Sequence, residues 1–234
     1  MRRSGARMDA SLIGMGLYTP GEAGLLLGVA PGKIARWLRG HVANGKRHEP
    51  LWRPQIVLDG DIGLGFRDLM EVRVAASFIA QGLPPFRLRQ AIVLARDAVG
   101  EDHPLSTRAF RTDGRSIFLQ VAKHDGEAAL IDLFSRQYAF RDVVERSLRH
   151  VDLDDTGRPA LWWPLGRSRW VLVDPARSFG RPIEAETSIP VDALVRAVRA
   201  ERSVEGAARA WNVPPRAVAR ALAFQGVMDE RKAA

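Results

Sequence analysis

Lys33, Arg36 and Arg39 recur three residues apart within PGKIARWLRG. On an α-helix that spacing sets them along one side, while Ile34, Trp37 and Leu38 fall on another. A helix that packs by an apolar edge and presents a basic one is what reading a DNA groove requires. The same residues also describe an ordinary corner between two helices with a solvated basic face. No other constellation offers chemistry. His41, His48, His103, His124 and His150 are dispersed, with no two four apart on one helix, so no metal site is expected. Asp152, Asp154, Asp155 and Gly157 resemble the start of a calcium loop, but Thr156 and Trp163 break its pattern, and a hairpin turn is expected instead. Gly60, Gly63 and Gly65 lack the spacing and the preceding strand of a phosphate loop. Ser135 and Ser168 lack a nucleophile-elbow setting. Asp68 and Glu71 are flanked by Arg67 and Arg73, which reads as surface ion pairing. The chain has no cysteine, which excludes disulfides, thiol catalysis and cysteine zinc sites. No enzyme, cofactor or metal is expected.

The basic edge needs elements to position it. Thr19 is a good N-cap and Glu22 favours the first turn of a helix carrying Ala23, Leu26 and Leu27. Gly28 breaks that helix, Val29 tucks into the angle, and Pro31 suits the first position of the next. Gly40 is placed to end it in a left-handed conformation. Ala30 stands where Ser or Asp would cap, a loss of about 1 kcal/mol. Asn44-Gly45 then signals a hairpin whose tip carries Lys46, Arg47 and His48, a basic wing.

Apolar residues at helical spacing predict helices over Phe66 to Leu83 and Phe86 to Val99, the second with Arg87, Arg89 and Arg96 outward. Residues 107–122 alternate around Asp113-Gly114 and predict a second hairpin. A turn at Lys123 to Gly126 and a strand at Glu127 to Leu133 are expected next. Arg136 to Arg149 reads as helical, and Val151 to Trp163 and Arg169 to Val173 as strands, with Trp162, Trp163 and Trp170 in a core or interface. The last stretch reverts to helix. Ile189-Pro190 opens one helix, Ser203 caps a second, and Pro214-Pro215 starts a third after a turn at Asn212-Val213. Its outer edge offers Arg209, Arg216 and Arg220.

The fold class expected is therefore α+β, mostly α. A basic arm over residues 1–16 precedes a winged helix-turn-helix over 17–104. A small central β-rich unit over 105–173 follows, then a C-terminal three-helix, helix-turn-helix-like domain over 174–234. Over 234 residues there are 35 Lys and Arg against 27 Asp and Glu, a net charge of +8, which favours a polyanionic partner. Hydrophobic residues make up 46%, enough for real cores, and no apolar run approaches the ~20 residues that span a bilayer. A cytoplasmic protein with no membrane association is expected.

YTPGEAGLLLGVAPGKIARWLRG resembles the entry pattern of MerR-family regulators, and GFRDLMEVRVAASFIAQGLPPFRLRQAI resembles the helices after their wing. The resemblance implies DNA contacts from Tyr18, Thr19, Lys33, Arg36, Trp37 and Arg39, with Lys46, Arg47 and Arg53 in the wing. It departs at residues 107–122, where a hairpin replaces the long helix of those regulators. PLWRPQIVLDGDIGLGFRDLMEVR, HPLSTRAFRTDGRSIFL, DPARSFGRPIEAETSIPVDAL and VEGAARAWNVPPRAVARALAF resemble, in that order, a group of bacterial VapB-type antitoxins. These have a MerR-like front and a C-terminal helical domain of an uncharacterised antitoxin type. That resemblance implies a type II toxin–antitoxin system, in which the protein neutralises a PIN-like ribonuclease toxin and represses its own operon as a homodimer on operator DNA. Phe179, Pro182, Phe224 and Met228 are candidates for toxin contact, with core packing as their alternative role. A stand-alone MerR-like regulator sensing a small molecule near Trp162, Trp163 and Trp170 is the rival reading.

Overall fold

A computed structural model describes residues 14–43, 45–58, 61–124 and 137–233. The chain is mostly helical, with two two-stranded antiparallel hairpins and one four-stranded antiparallel sheet among the described residues. The expected basic arm falls almost wholly in residues 1–13, outside those described.

Helix α1 (Pro20–Leu27) begins with a reciprocal cap. The Thr19 hydroxyl accepts from the Glu22 N–H at 3.2 Å, and the Glu22 carboxylate accepts from the Thr19 N–H at 2.8 Å. Helix α2 (Pro31–Arg39) starts at Ala30 with no side-chain cap, as its sequence dictates. It buries Ile34, Trp37 and Leu38. Gly40 leaves α2 at φ 70° but ψ −178°, so it turns the chain into a strand where a left-handed cap was expected. Strands β1 (His41–Ala43) and β2 (Lys46–His48) pair antiparallel, His41 opposite His48. A second hairpin, β3 (Ile56–Leu58) with β4 (Asp61–Gly63), corrects the expectation that no strand precedes the glycine-rich stretch.

Helix α3 (Phe66–Ala80) buries Phe66, Leu69, Met70, Val72, Val74, Ala75 and Phe78, so it is covered on several sides. Helix α4 (Pro85–Val99) follows, and Arg87, expected outward, is buried. The hairpin expected around Asp113-Gly114 is instead a helix, α5 (Arg108–His124). Two features favour it. The Thr107 hydroxyl accepts from the Phe110 N–H at 3.2 Å, a helix N-cap. Gly114 then lies against the Phe110 ring, where a Cβ would sit 2.7 Å from it, so the glycine serves packing rather than a turn. Phe110 and Phe118 join Phe78 of α3 and Phe140 of α6 (Gln137–Ser147) in one aromatic cluster, with centroids 4.7 to 6.4 Å apart. The turn and strand expected over Lys123 to Leu133 meet α5 at Lys123 and otherwise lie mostly outside the described residues.

The four-stranded sheet has the order β5 (Val151–Leu153), β6 (Pro159–Trp162), β7 (Val171–Val173), β8 (Pro182–Glu184). The last strand is an addition to the expected ones, and it carries the sheet past residue 173 toward the C-terminal helices. These are α7 (Val191–Glu201), α8 (Val204–Ala210) and α9 (Pro215–Ala233). Ser203 caps α8 by accepting from the Gly206 N–H at 2.9 Å. Buried apolar side chains form one continuous cluster from Tyr18 to Met228. The two ends of the chain meet directly. The Leu17 N–H donates to the Phe179 carbonyl at 2.9 Å, the Tyr18 hydroxyl to the Gly180 carbonyl at 2.8 Å, and Arg231 to the Leu26 carbonyl at 2.7 Å. Gly180 sits at φ 77°, and a Cβ there would lie 2.2 Å from the Tyr18 hydroxyl oxygen.

Candidate nucleic-acid and partner surfaces

The basic edge of α2 is set by its buried one. With Ile34, Trp37 and Leu38 inside, Arg36 and Arg39 are exposed and Lys33 is half-buried. The Lys33 ammonium lies over the Trp37 ring, 5.2 Å from its centroid, a favourable cation–π contact. The helix end is fixed by the Leu51 N–H, which donates to the Trp37 carbonyl at 2.7 Å. Arg89 of α4 ties down the segment after the hairpin, donating to the carbonyls of Glu49 and Pro50. In the hairpin, Arg47 is exposed and pairs with Glu49 at 2.9 Å, and Arg53 is exposed beyond it. Lys46 lies in β2, and its side chain is not among those described.

Two of the expected contact residues face inward. Tyr18 is only 2% exposed and Trp37 only 6% exposed, so neither meets a duplex laid on the surface. Burial, helped by Asp174 and Glu22, holds the Tyr18 phenol above its ordinary range, so it stays a neutral donor to Gly180. Thr19 is exposed but engaged in the α1 cap.

A polar cluster behind this surface corrects the expectation of surface ion pairing at Asp68 and Glu71. Both are fully buried. The Asp68 carboxylate accepts from Trp52 Nε1 at 2.9 Å, the Gln55 N–H at 2.8 Å and the Gly65 N–H at 3.0 Å, and it faces His103 Nε2 at 2.8 Å. It thereby locks the loop between the hairpins onto the start of α3. Glu71 accepts from the Leu105 and Ser106 N–H groups and from the Ser106 hydroxyl, at 3.1 to 3.3 Å, and so holds the approach to α5. Burial pushes its carboxyl up to about 7, against the pull of His103, the Ser106 hydrogen bonds and Arg67. Carboxylates beside a histidine can do acid–base work, but these are sealed in the core, and their donors include four backbone N–H groups that the fold must satisfy. The signal that could have found them is the lone Asp68 three residues after Gly65, the N3 position of a helix start.

Three of the four expected candidates, Pro182, Phe224 and Met228, come together. With Leu26 and Val191 they line a cleft of about 280 Å³ between α1 and the C-terminal helices. Phe224 and Met228 are 3% exposed and form its floor. Phe179 is 53% exposed at φ 55°, on a neighbouring depression that shares Leu17, Tyr18, Glu22 and Arg181 with the cleft. The three tryptophans have separate settings. Trp162 is buried under the Arg73 guanidinium, which burial and the nearby Arg231 hold down at about 10. Trp163 donates to Asp152 at 3.0 Å, and Trp170 is exposed beneath Arg220. On the C-terminal outer edge, Arg216 pairs with Glu186, and Arg220 with both Glu184 and Glu186 at 2.9 Å.

No protein-family model matches the chain. It is 26% identical over 219 residues to a protein of Mycobacterium tuberculosis (strain ATCC 25618 / H37Rv) provisionally named antitoxin VapB45, covering 85% of this chain and 89% of that one. Its fold is similar to the X-ray crystal structure of Rv2018 from Mycobacterium tuberculosis, with a TM-score of 0.69 at 26% identity, over 88% of this chain and 96% of that chain. No helix among the described residues is long and apolar enough to cross a membrane.

Proposed function

We propose that this protein is the antitoxin of a type II toxin–antitoxin pair and represses its own operon. The observation that carries the reading is a likeness to a protein provisionally named antitoxin VapB45 that extends over 85% of the chain and 89% of the relative. In this reading α1 and α2 are a helix-turn-helix and the β1–β2 hairpin is its wing. Lys33, Arg36 and Arg39 face the major groove, and Lys46, Arg47 and Arg53 meet the phosphate backbone. Helix α5 supports the MerR-like part, because it stands where those regulators carry their long helix. A two-fold dimer would match a palindromic operator. The partner is a PIN-like ribonuclease encoded beside it, met through the C-terminal part, with Phe179 and Pro182 at the contact. Phe224 and Met228 support that contact from beneath, since they are buried. The cytoplasm is where such a pair would work.

Growth tests the reading. Expression of the neighbouring ribonuclease alone should arrest cells, and co-expression of this protein should restore growth. Arrest that persists with the protein present at equal or greater amount would sink the antitoxin reading.

A further inference from the structure

The expectation of no metal site rested on helical spacing, which does not see a pair formed across two strands. The β1–β2 register sets His41 directly opposite His48, so both side chains leave the same face of the hairpin. Their imidazole rings lie 4.8 Å apart, centroid to centroid, with planes within 12° of parallel. His41 is exposed and His48 half-buried, so solvent reaches the pair. We propose that His41 and His48 form a two-histidine site for a late first-row divalent metal ion of the Zn2+, Ni2+ and Cu2+ class.

The separation fits a shared ion. Two imidazoles on one tetrahedral ion, each at a metal–nitrogen distance of about 2.0–2.1 Å, carry their ring centroids roughly 5 Å apart. The pair already stands at that distance. What remains is to turn the rings from stacked to converging, and the last torsion of a histidine side chain is broad. The backbone beneath is fixed. Gly40 comes so close to β2 that a Cβ on it would lie 2.3 Å from the His48 carbonyl oxygen. The Leu51 N–H bonds the Trp37 carbonyl, and Arg89 of α4 holds the carbonyls of Glu49 and Pro50. A base clamped in this way leaves little chain freedom for the ion to remove. The donor set selects the metal. Imidazole nitrogen suits Zn, Ni and Cu, whereas magnesium and calcium take oxygen. No group of three metal-ligating side chains occurs among the described residues, and Glu49, next along the chain, is paired with Arg47. Water would therefore complete the coordination, and the ion would tie the first strand of the hairpin to the second.

The test uses the untagged full chain, titrated with NiCl2 and separately with ZnCl2 by calorimetry, with the melting temperature read alongside. One ion per chain should bind, and saturating metal should raise the melting temperature, because the ion binds the paired strands and not the unfolded chain. EDTA should reverse that rise, and MgCl2 should give neither heat nor stabilisation. H41N and H48N should each weaken binding at least tenfold, and H41N/H48N should add little to either, since one imidazole alone does not chelate. H150N, at an exposed histidine of another element, should bind as the wild type does. The metal-free melting temperature of each variant reports whether it folds, and H41N, at the more exposed ring, decides if H48N does not. The inference is overturned if the wild type gives no saturable binding, or if H41N/H48N binds as tightly as the wild type, which would put the ion elsewhere. A stoichiometry of one ion per two chains would also overturn it, by replacing the pair within one hairpin with a bridge between copies.

Discussion

Two regions of this molecule carry the same local pattern and put it to different ends. At the N-terminal end, α1, a turn with Val29, and Pro31 at the start of α2 lead to Arg36 and Arg39 on an exposed edge. At the C-terminal end, α8, a turn with Val213, and Pro215 at the start of α9 lead to Arg216 and Arg220. The second pair is engaged. Glu184 and Glu186, from β8 and the turn after it, take both guanidinium groups. Hydrogen bonds from Arg216 and then Arg220 pull the Glu186 carboxyl down to about 2. The C-terminal basic edge is thus a structural clasp, whereas the N-terminal edge is the one to which the proposed function assigns DNA.

The contrast should be disturbed most by Glu184→Ala. Glu184 is fully buried and anchors Arg220, so its loss should cost about 3 kcal/mol of stability, read by chemical denaturation. A change within ~0.5 kcal/mol would show that the clasp contributes nothing to the fold. Next is the buried Glu71. Its folded-state carboxyl is raised to about 7 from 4.5, so the folded state binds the proton more tightly than the unfolded chain. Stability should therefore fall as pH rises from about 4.5 to about 7, by on the order of 2 kcal/mol, and Glu71→Gln should flatten that profile. A Glu71→Gln protein with an unchanged pH profile would contradict the assignment. R36A/R39A should leave the melting temperature alone while weakening operator binding ten- to a hundredfold, about 1–3 kcal/mol. Unchanged affinity would remove α2 as the reading head. The mildest change is expected from Arg216→Ala, a solvent-screened pair whose loss should leave both stability and operator affinity essentially unchanged. A loss of affinity there would collapse the distinction between the two regions.

Helices α2, α3, α4 and the three C-terminal helices were legible because apolar spacing and Pro or Gly punctuation agreed. Helix α5 was not. Its alternating residues and Asp113-Gly114 imitate a hairpin, and only the Phe110 ring against Gly114 shows why glycine stands there. Strand β8 is three residues long and gains its meaning from β7 beside it. Tyr18 reads as a surface residue because its partner, Gly180, lies 162 positions away. Asp68 and Glu71 read as surface charges for the same reason, since His103 and Ser106 arrive 35 positions later. Local pattern reports helices and edges. Which partners an edge takes depends on segments distant in sequence, and those are set by packing.

Restraint of a toxin can be measured without intermediaries. The chain is co-expressed with the ribonuclease that the proposed function places beside it, purified by a tag on this protein alone, and assayed for cleavage of RNA before and after the complex is denatured and the ribonuclease refolded. The ribonuclease should co-purify, stay silent in the complex and regain activity once separated. A ribonuclease that fails to co-purify, or that cleaves RNA at full rate with this protein bound, would refute the antitoxin role.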